Sequence, residues 1–329
     1  MKVSQAIERV NKDYYMLQKD GTLLTQTTRP QAIADNLEML DVQEGQKVLE
    51  IGTGSGYSTA LLATLVGESG KVVSIDIDPK LTKRASEKLK DFEWVTCVTA
   101  DGRFGYDNCA PYDRIIAWTT PDNFPNSWTN QIEEDGLIVT PFQVMDIVQS
   151  TVMVRFKKMD GSLSGDLVRP EGYIPMTSEP VVDFDRFGPE SQADIVGEGE
   201  EPFWIGAHWM KDGQVKEEWK ERFLKVKATS SPFREDGQAI RAYLLATHSE
   251  GYTFAFRPED GDWIGYSTAN GFALVSFRQP NRWIISDDEH TMVLEKWWVT
   301  WVGIGKPSYE SIQPILMKDQ VKLSLKGGE

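Results

Sequence analysis

The residues with the most chemical promise surround one short glycine-rich turn. The run Val48-Leu49-Glu50-Ile51-Gly52-Thr53-Gly54-Ser55-Gly56-Tyr57 is an apolar strand carrying an acid near its end and leading into three alternate glycines. A helix over residues 58–66 is predicted to follow. Glycine permits left-handed backbone and lets a ligand come close to the main chain. Two further acids recur downstream. Asp76 closes Val72-Val73-Ser74-Ile75-Asp76, and Asp101 follows the next strand-like run. The steps from Glu50 to Asp76 and from Asp76 to Asp101 are 26 and 25 residues, one strand–helix unit each. All three acids are therefore expected at the carboxyl ends of adjacent parallel strands, where open α/β sheets bind ligands.

The spacing narrows the ligand. G-x-G-x-G is not the dinucleotide pattern G-x-G-x-x-G, and no G-x-x-x-x-G-K-[ST] phosphate loop occurs. An acid after the second strand suits ribose hydroxyls, and acidic surroundings favour a positively charged ligand over phosphates. Those requirements describe S-adenosyl-L-methionine, a nucleoside bearing a sulfonium, with S-adenosyl-L-homocysteine as its product. Glu50, Gly52, Thr53, Gly54, Ser55, Gly56, Tyr57, Asp76 and Asp101 are the expected cofactor contacts. The alternatives are a dinucleotide, or a plain tight turn beside solvated acids.

The elements that must position these groups read as βαβ units. From Gln46 to about Met153, short β-branched runs at residues 47–51, 72–75, 94–98, 114–117, 137–139 and 152–156 alternate with helical stretches at 61–66 and 81–89. Such alternation predicts a doubly wound, mostly parallel sheet covered on both faces. Two helices are expected ahead of it, at residues 3–17 and 30–40, with Pro30 suited to a first helical position. After Glu179 the texture changes. Residues 181–202 read as an acidic linker or arm, and 203–329 as a smaller α+β domain. That domain is expected to hold strands at 240–245, 252–257, 271–277 and 283–285 and helices at 215–226 and 291–301.

Composition excludes several classes. The 329 residues carry 35 Lys+Arg against 50 Asp+Glu, net −15, which lacks the basic footprint of a nucleic-acid binder. No run of about 18 apolar residues suggests a membrane span. No signal-like N-terminus is read, so the protein is expected to be soluble and cytoplasmic. Cys97 and Cys109 give no disulfide framework, and His208, His248 and His290 are too scattered for a metal site, so no metal is expected. Oligomeric state is not readable.

Val48–Tyr57, Gly70-Lys71-Val72-Val73-Ser74-Ile75-Asp76, Asp101-Gly102-Arg103-Phe104-Gly105-Tyr106 and Ala110-Pro111-Tyr112-Asp113-Arg114-Ile115-Ile116 together resemble the protein-L-isoaspartate O-methyltransferase family. Residues 135–141, 160–161 and Tyr173-Ile174-Pro175-Met176-Thr177 extend the resemblance over roughly residues 1–178. It implies a Rossmann-like class I methyltransferase, residues 1–180, and adds Gly102 and Thr177 to the cofactor contacts. The family's S-x-P motif, whose Ser lies at the methyl-transfer site, corresponds here to Thr28-Arg29-Pro30. Thr28 is thus the implied catalytic hydroxyl, with Arg29 and Pro30 beside the substrate; read without the resemblance, Thr28 is a helix cap. Where the family has small residues after the fourth strand, this chain has Ala117-Trp118-Thr119-Thr120-Pro121. Trp118, Thr119 and Thr120 are accordingly expected to line a reshaped substrate pocket.

Length and local detail look closer to C-terminally extended homologues that act on ribosomally made, modified peptides (lanthipeptides, lasso peptides, ω-ester peptides). This likeness implies methylation of an Asp side chain in a constrained peptide, the ester then collapsing to aspartimide. The alternatives are a general isoaspartyl repair enzyme and a catalytically weak peptide-binding module. Eight of the eleven tryptophans lie in 203–329, as core or as binding anchors.

Overall fold

The computed structural model describes residues 1–25, 27–197, 202–212, 215 and 217–327. They fall into two compact units. The first holds Met1–Phe142, Val152–Val182 and Pro314–Val321; the second holds Gln143–Thr151, Asp183–Gln313 and the remainder from Lys322.

In the first unit, α1 (Val3–Arg9), α2 (Lys12–Met16) and α3 (Pro30–Leu40) precede β1 (Lys47–Ile51), α4 (Tyr57–Val66), β2 (Lys71–Asp76), α5 (Pro79–Lys88), β3 (Val95–Thr99), β4 (Tyr112–Ala117), α6 (Asn126–Gln131), β5 (Ile132–Gln143), β6 (Thr151–Met159) and β7 (Ser162–Arg169). The sheet order is β3-β2-β1-β4-β5-β6-β7. β1 pairs in parallel with both β2 and β4, and β6–β7 is an antiparallel hairpin. This is the Rossmann-like arrangement of class I methyltransferases. The chain order reverses at β1/β4, so a crevice opens beyond the carboxyl end of β1. Val48, Leu49, Val72, Val73, Ile115 and Ile116 are fully buried, as parallel strands covered on both faces must be.

The helix expected over residues 3–17 is broken. α1 stops at Arg9 with Val10 as its extended C-cap, and Asn11 caps α2, its side chain accepting from the Asp13 and Tyr14 amides, a local Asn–backbone bond that competes with continued helix. Pro30 begins α3 as expected.

The second unit holds β8 (Ile195–Val196), β9 (Trp204–Ala207), α7 (Glu217–Lys225), β10 (Thr229–Ser230), α8 (Gly237–Thr247), β11 (Tyr252–Arg257), β12 (Gly261–Thr268), β13 (Gly271–Ser276), β14 (Arg282–Ile285) and α9 (Asp288–Gly303); β15 (Ile312–Met317) and β16 (Gln320–Leu325) come last in the chain, with Pro314–Val321 of them counted to the first unit. β10-β14-β13-β12-β11-β9-β8 form an antiparallel sheet. Two expectations change. Residues 240–245 lie in a helix, not a strand: Asp236 caps α8 through the Gln238 and Ala239 amides, and the Ala- and Leu-rich run favours helix. Residues 183–197 are not a separate linker. The β-branched pair Ile195–Val196 zips antiparallel onto Ile205 and Trp204 as the sheet's edge, and 183–194 precede it within the same compact unit. The acidic stretch 198–201 lies outside the described residues.

Candidate active site

The glycine loop leaves β1 in left-handed steps, with φ of 95° at Gly52, 49° at Gly54 and 81° at Gly56. A Cβ on Gly52 would stand 3.3 Å from the Trp118 Cβ, so the position is closed to side chains by both conformation and space. The Gly52 and Thr53 amides donate to the Ile75 carbonyl, which fixes the loop against β2. The Thr53 and Ser55 side chains are buried, and Tyr57 enters the core.

Asp76 is held from behind. Its Oδ2 accepts from the Gly54 amide at 2.9 Å and its Oδ1 from the Asp78 amide at 3.0 Å. An ionised carboxylate has about four acceptor sites. Each oxygen therefore keeps a lone pair for a ligand hydroxyl, while both known bonds fix its aim. Burial pushes the Asp76 carboxyl above its ordinary pKa, against the lowering effect of the Gly54, Asp78 and Ile77 amides.

Glu50 behaves differently and corrects the expectation that it meets the cofactor. It is fully buried, and four donors close around it: Ser58 Oγ and Thr59 Oγ1 at 2.5 Å, Ser74 Oγ at 2.7 Å and Trp118 Nε1 at 2.9 Å. A carboxylate so enclosed has no edge left for a ligand. Burial raises its pKa, with the four hydrogen bonds acting the other way. Glu50 is instead the knot that joins β1, the first turn of α4, β2 and the segment after β4. The sequence carried a signal for this network. Ser74 sits mid-strand among apolar residues and directly opposite Glu50 in the parallel register, and a buried polar group needs a partner.

Asp101 follows β3 and is engaged by Arg103, whose Nε and guanidinium NH2 reach both carboxylate oxygens at 2.5–3.1 Å. The pair holds its carboxyl below the ordinary range. Gly102 is buried against Ile51, where a Cβ would come within 2.4 Å of the Ile51 Cγ2.

On the substrate side, Trp118 is buried, bonded to Glu50, and its ring lies 5.9 Å from that of Tyr173. Thr119 is half-buried. Thr120 is consumed by structure: its Oγ1 donates to the Tyr173 carbonyl at 2.8 Å and its backbone pairs with Ile174 and Met176. The Thr177 hydroxyl likewise donates to the Glu179 carbonyl. Thr28 is half-buried, and among the described residues its hydroxyl has no hydrogen-bond partner. It does not cap α3; the N-cap is Arg29, with no side-chain cap bond. Arg29 is exposed and stands 3.7 Å from Glu171, whose carboxyl burial pushes upward. Asn36 Nδ2 donates to the Tyr173 hydroxyl at 2.8 Å. These links tie the start of α3 to the segment that carries Tyr173.

One positioning residue gave no sequence signal. Arg84, on α5, donates to the Ser55 carbonyl and to the Tyr15 and Leu17 carbonyls, clamping the glycine loop to the N-terminal segment. All three histidines belong to the second unit, and no metal-binding cluster of His, Cys, Asp or Glu exists among the described residues. No described helix is long and apolar enough to cross a membrane. The first unit thus offers a glycine cradle, an oriented carboxylate and, among the described residues, a hydroxyl with no hydrogen-bond partner. That donor set suits a nucleoside cation.

The family model described as protein-L-isoaspartate(D-aspartate) O-methyltransferase matches residues 3–180. The chain is similar to a protein-L-isoaspartate O-methyltransferase of Methanococcus maripaludis, 35% identical over 144 residues, 43% of this chain and 66% of that protein. It is also similar to protein-L-isoaspartate O-methyltransferase 2 of Archaeoglobus fulgidus, 41% identical over 152 residues, 46% of this chain and 68% of that protein. The match therefore spans just under two thirds of the Methanococcus protein. A solved structure described as protein-L-isoaspartate O-methyltransferase shares the fold over 98% of this chain and 94% of its own, at 19% identity and TM-score 0.51.

Proposed function

The chain belongs to the protein-L-isoaspartate(D-aspartate) O-methyltransferase family of S-adenosyl-L-methionine-dependent enzymes, and from that premise we propose that it methylates the carboxylate of an L-isoaspartyl residue in proteins or peptides. When bound, S-adenosyl-L-methionine supplies a methyl group already activated on sulfonium: the carboxylate oxygen bonds to that carbon as the carbon–sulfur bond breaks, leaving S-adenosyl-L-homocysteine. Asp76 accepts from the ribose hydroxyls, and the Gly52–Gly56 backbone takes the cofactor's close approach. Asp101 and Gly102 would add to the residues that hold the cofactor.

The nucleophile needs no base, because a carboxylate with a pKa near 4 is ionised at neutral pH. The enzyme's task is alignment, which can be worth roughly 7–11 kcal/mol at best. Thr28 donates to one substrate oxygen and turns the other toward the methyl group; the observation that carries this role is its half-buried hydroxyl, uncommitted among the described residues. Arg29 supplies positive charge to the incoming carboxylate when it leaves Glu171. The following backbone amide nitrogen then attacks the ester carbonyl, the methoxy group leaves as methanol with that nitrogen's proton, and water opens the resulting succinimide to aspartate or isoaspartate.

A second reading is methylation of an Asp side chain in a constrained, ribosomally made peptide, with aspartimide as product. It is supported by Thr28 in place of Ser. The additional unit does not by itself favour it, since a protein described simply as an isoaspartyl methyltransferase aligns with almost the whole chain. Competing rates on a linear isoaspartyl peptide and on a macrocyclic Asp peptide separate the two. Faster methylation of the macrocycle selects the second reading, and faster methylation of the linear peptide selects the first.

A further inference from the structure

The second unit contains a recess of about 570 Å³ between the end of α8, the loop that follows it, β12 and α9. Its lining is aromatic. Tyr266 and Trp297 meet edge to face with ring centroids 5.3 Å apart, and His248 packs 4.5 Å from Trp297. Trp209 adds a third wall, fixed by its Nε1 donating to Ser267 Oγ at 2.8 Å. Glu250 is the one charged side chain among the described lining residues, and it is exposed. Burial lowers the His248 pKa, so this ring is neutral at pH 7 and adds no positive charge.

The chemistry of this lining selects its ligand. Aromatic faces are electron-rich and attract cations. A carboxylate beside them adds to that attraction and repels anions. The net charge of −15 steers cationic partners toward the protein as a whole. A guanidinium fits better than an ammonium, because it is planar, stacks on aromatic rings and presents a fork of donors to a carboxylate. We propose that this recess is a docking subsite for an arginine side chain of the protein or peptide substrate, held against Trp209, Tyr266 and Trp297 with Glu250 as its counter-ion. Binding of arginine stands on the recess alone, whereas its use in substrate docking rests on the methyl-transfer reading above.

The test has two arms on the full chain. In the first, N-acetyl-L-argininamide and its neutral isostere N-acetyl-L-citrullinamide are titrated and followed by ligand-observed NMR. The arginine probe should bind saturably and at least about fivefold more tightly than the citrulline probe. Glu250→Gln, an exposed change that leaves the wall intact, should weaken it roughly 2- to 5-fold. Trp209→Leu should weaken it similarly, with thermal melting checking the fold. Equal binding of the two probes, or unchanged affinity in both variants, overturns the site. In the second arm, Glu250→Gln should raise KM for an isoaspartyl peptide containing arginine without changing kcat, and leave a glutamine-containing counterpart unaffected. Arginine binding without that KM effect overturns the docking role while the site stands. Failure of all methyl transfer overturns the activity instead, and the first arm still decides the site.

Discussion

Removing the buried carboxylate of Glu50 should loosen the first unit more than any single change at the loop surface. Glu50→Ala deletes the acceptor of four hydrogen bonds. Ser74 still has Thr53, whose Oγ1 lies at 2.6 Å. Thr59 Oγ1 keeps only the long 3.4 Å contact with Ser74 Oγ, and Ser58 Oγ and Trp118 Nε1 are left facing a void. At roughly 1–3 kcal/mol for each buried donor without a partner, and in line with the loss seen when one member of a buried charged network is removed, the cost is about 3–5 kcal/mol. With a urea slope near 2 kcal/mol per M, that shifts the midpoint by about 1.5–2.5 M. Glu50→Gln keeps one acceptor and the shape, and should cost only about 1–2 kcal/mol. The pH dependence has a definite sign. Burial raises the folded pKa of Glu50 above its unfolded value. Its proton linkage therefore favours folding below the unfolded pKa, and that contribution is lost as pH rises through the folded pKa. Glu50→Gln lacks the linkage, so the stability gap between wild type and this variant should narrow as pH rises. Urea melts by circular dichroism at several pH values measure both effects. A Glu50→Ala midpoint equal to wild type, or a gap that widens with pH, refutes the reasoning.

Three further outcomes follow from the loop and its surroundings. Asp76→Ala should weaken S-adenosyl-L-methionine binding roughly 10- to 100-fold by calorimetry, through loss of charge-assisted ribose bonds; unchanged affinity, or tight NAD binding by the wild type, contradicts the assignment. Thr28→Ala should slow turnover with cofactor affinity nearly intact, and Thr28→Ser should keep most of the activity; a wild-type rate for Thr28→Ala makes the hydroxyl idle. Gly52→Ala, at φ 95° and 3.3 Å from Trp118, should lower both melting temperature and cofactor affinity, with a strain of about 1–3 kcal/mol. A variant that melts and binds as the wild type does would show that the loop tolerates a side chain there.

The parallel sheet and the glycine turn were legible because their signals are local: β-branched runs, a repeat near 25 residues, and glycines where left-handed backbone is needed. The orientation of the acids was not. Glu50 and Asp76 both lie near strand ends, yet one turns into the core and the other toward the crevice. In a strand buried on both faces the sequence has no polar–apolar alternation to tell which. Thr120 looked like a pocket residue and Thr177 like a cofactor contact, but carbonyls from distant or neighbouring segments claim their hydroxyls. Arg84 stayed hidden because its acceptors are backbone carbonyls far away in sequence. Residues 240–245 misled as a strand because a short apolar run has the same appearance in a buried helix; the decisive Asp236 cap stood just upstream.

Carboxyl methylation is tested most directly by incubating the full chain with S-adenosyl-L-methionine and a peptide pair that differs only in Asp versus L-isoAsp at one position, followed by mass spectrometry. The isoaspartyl peptide should gain one methyl group and then lose methanol as the succinimide closes, while the linear Asp peptide stays unmodified. Binding of the cofactor without methyl transfer to the isoaspartyl peptide or to a constrained Asp peptide would contradict it.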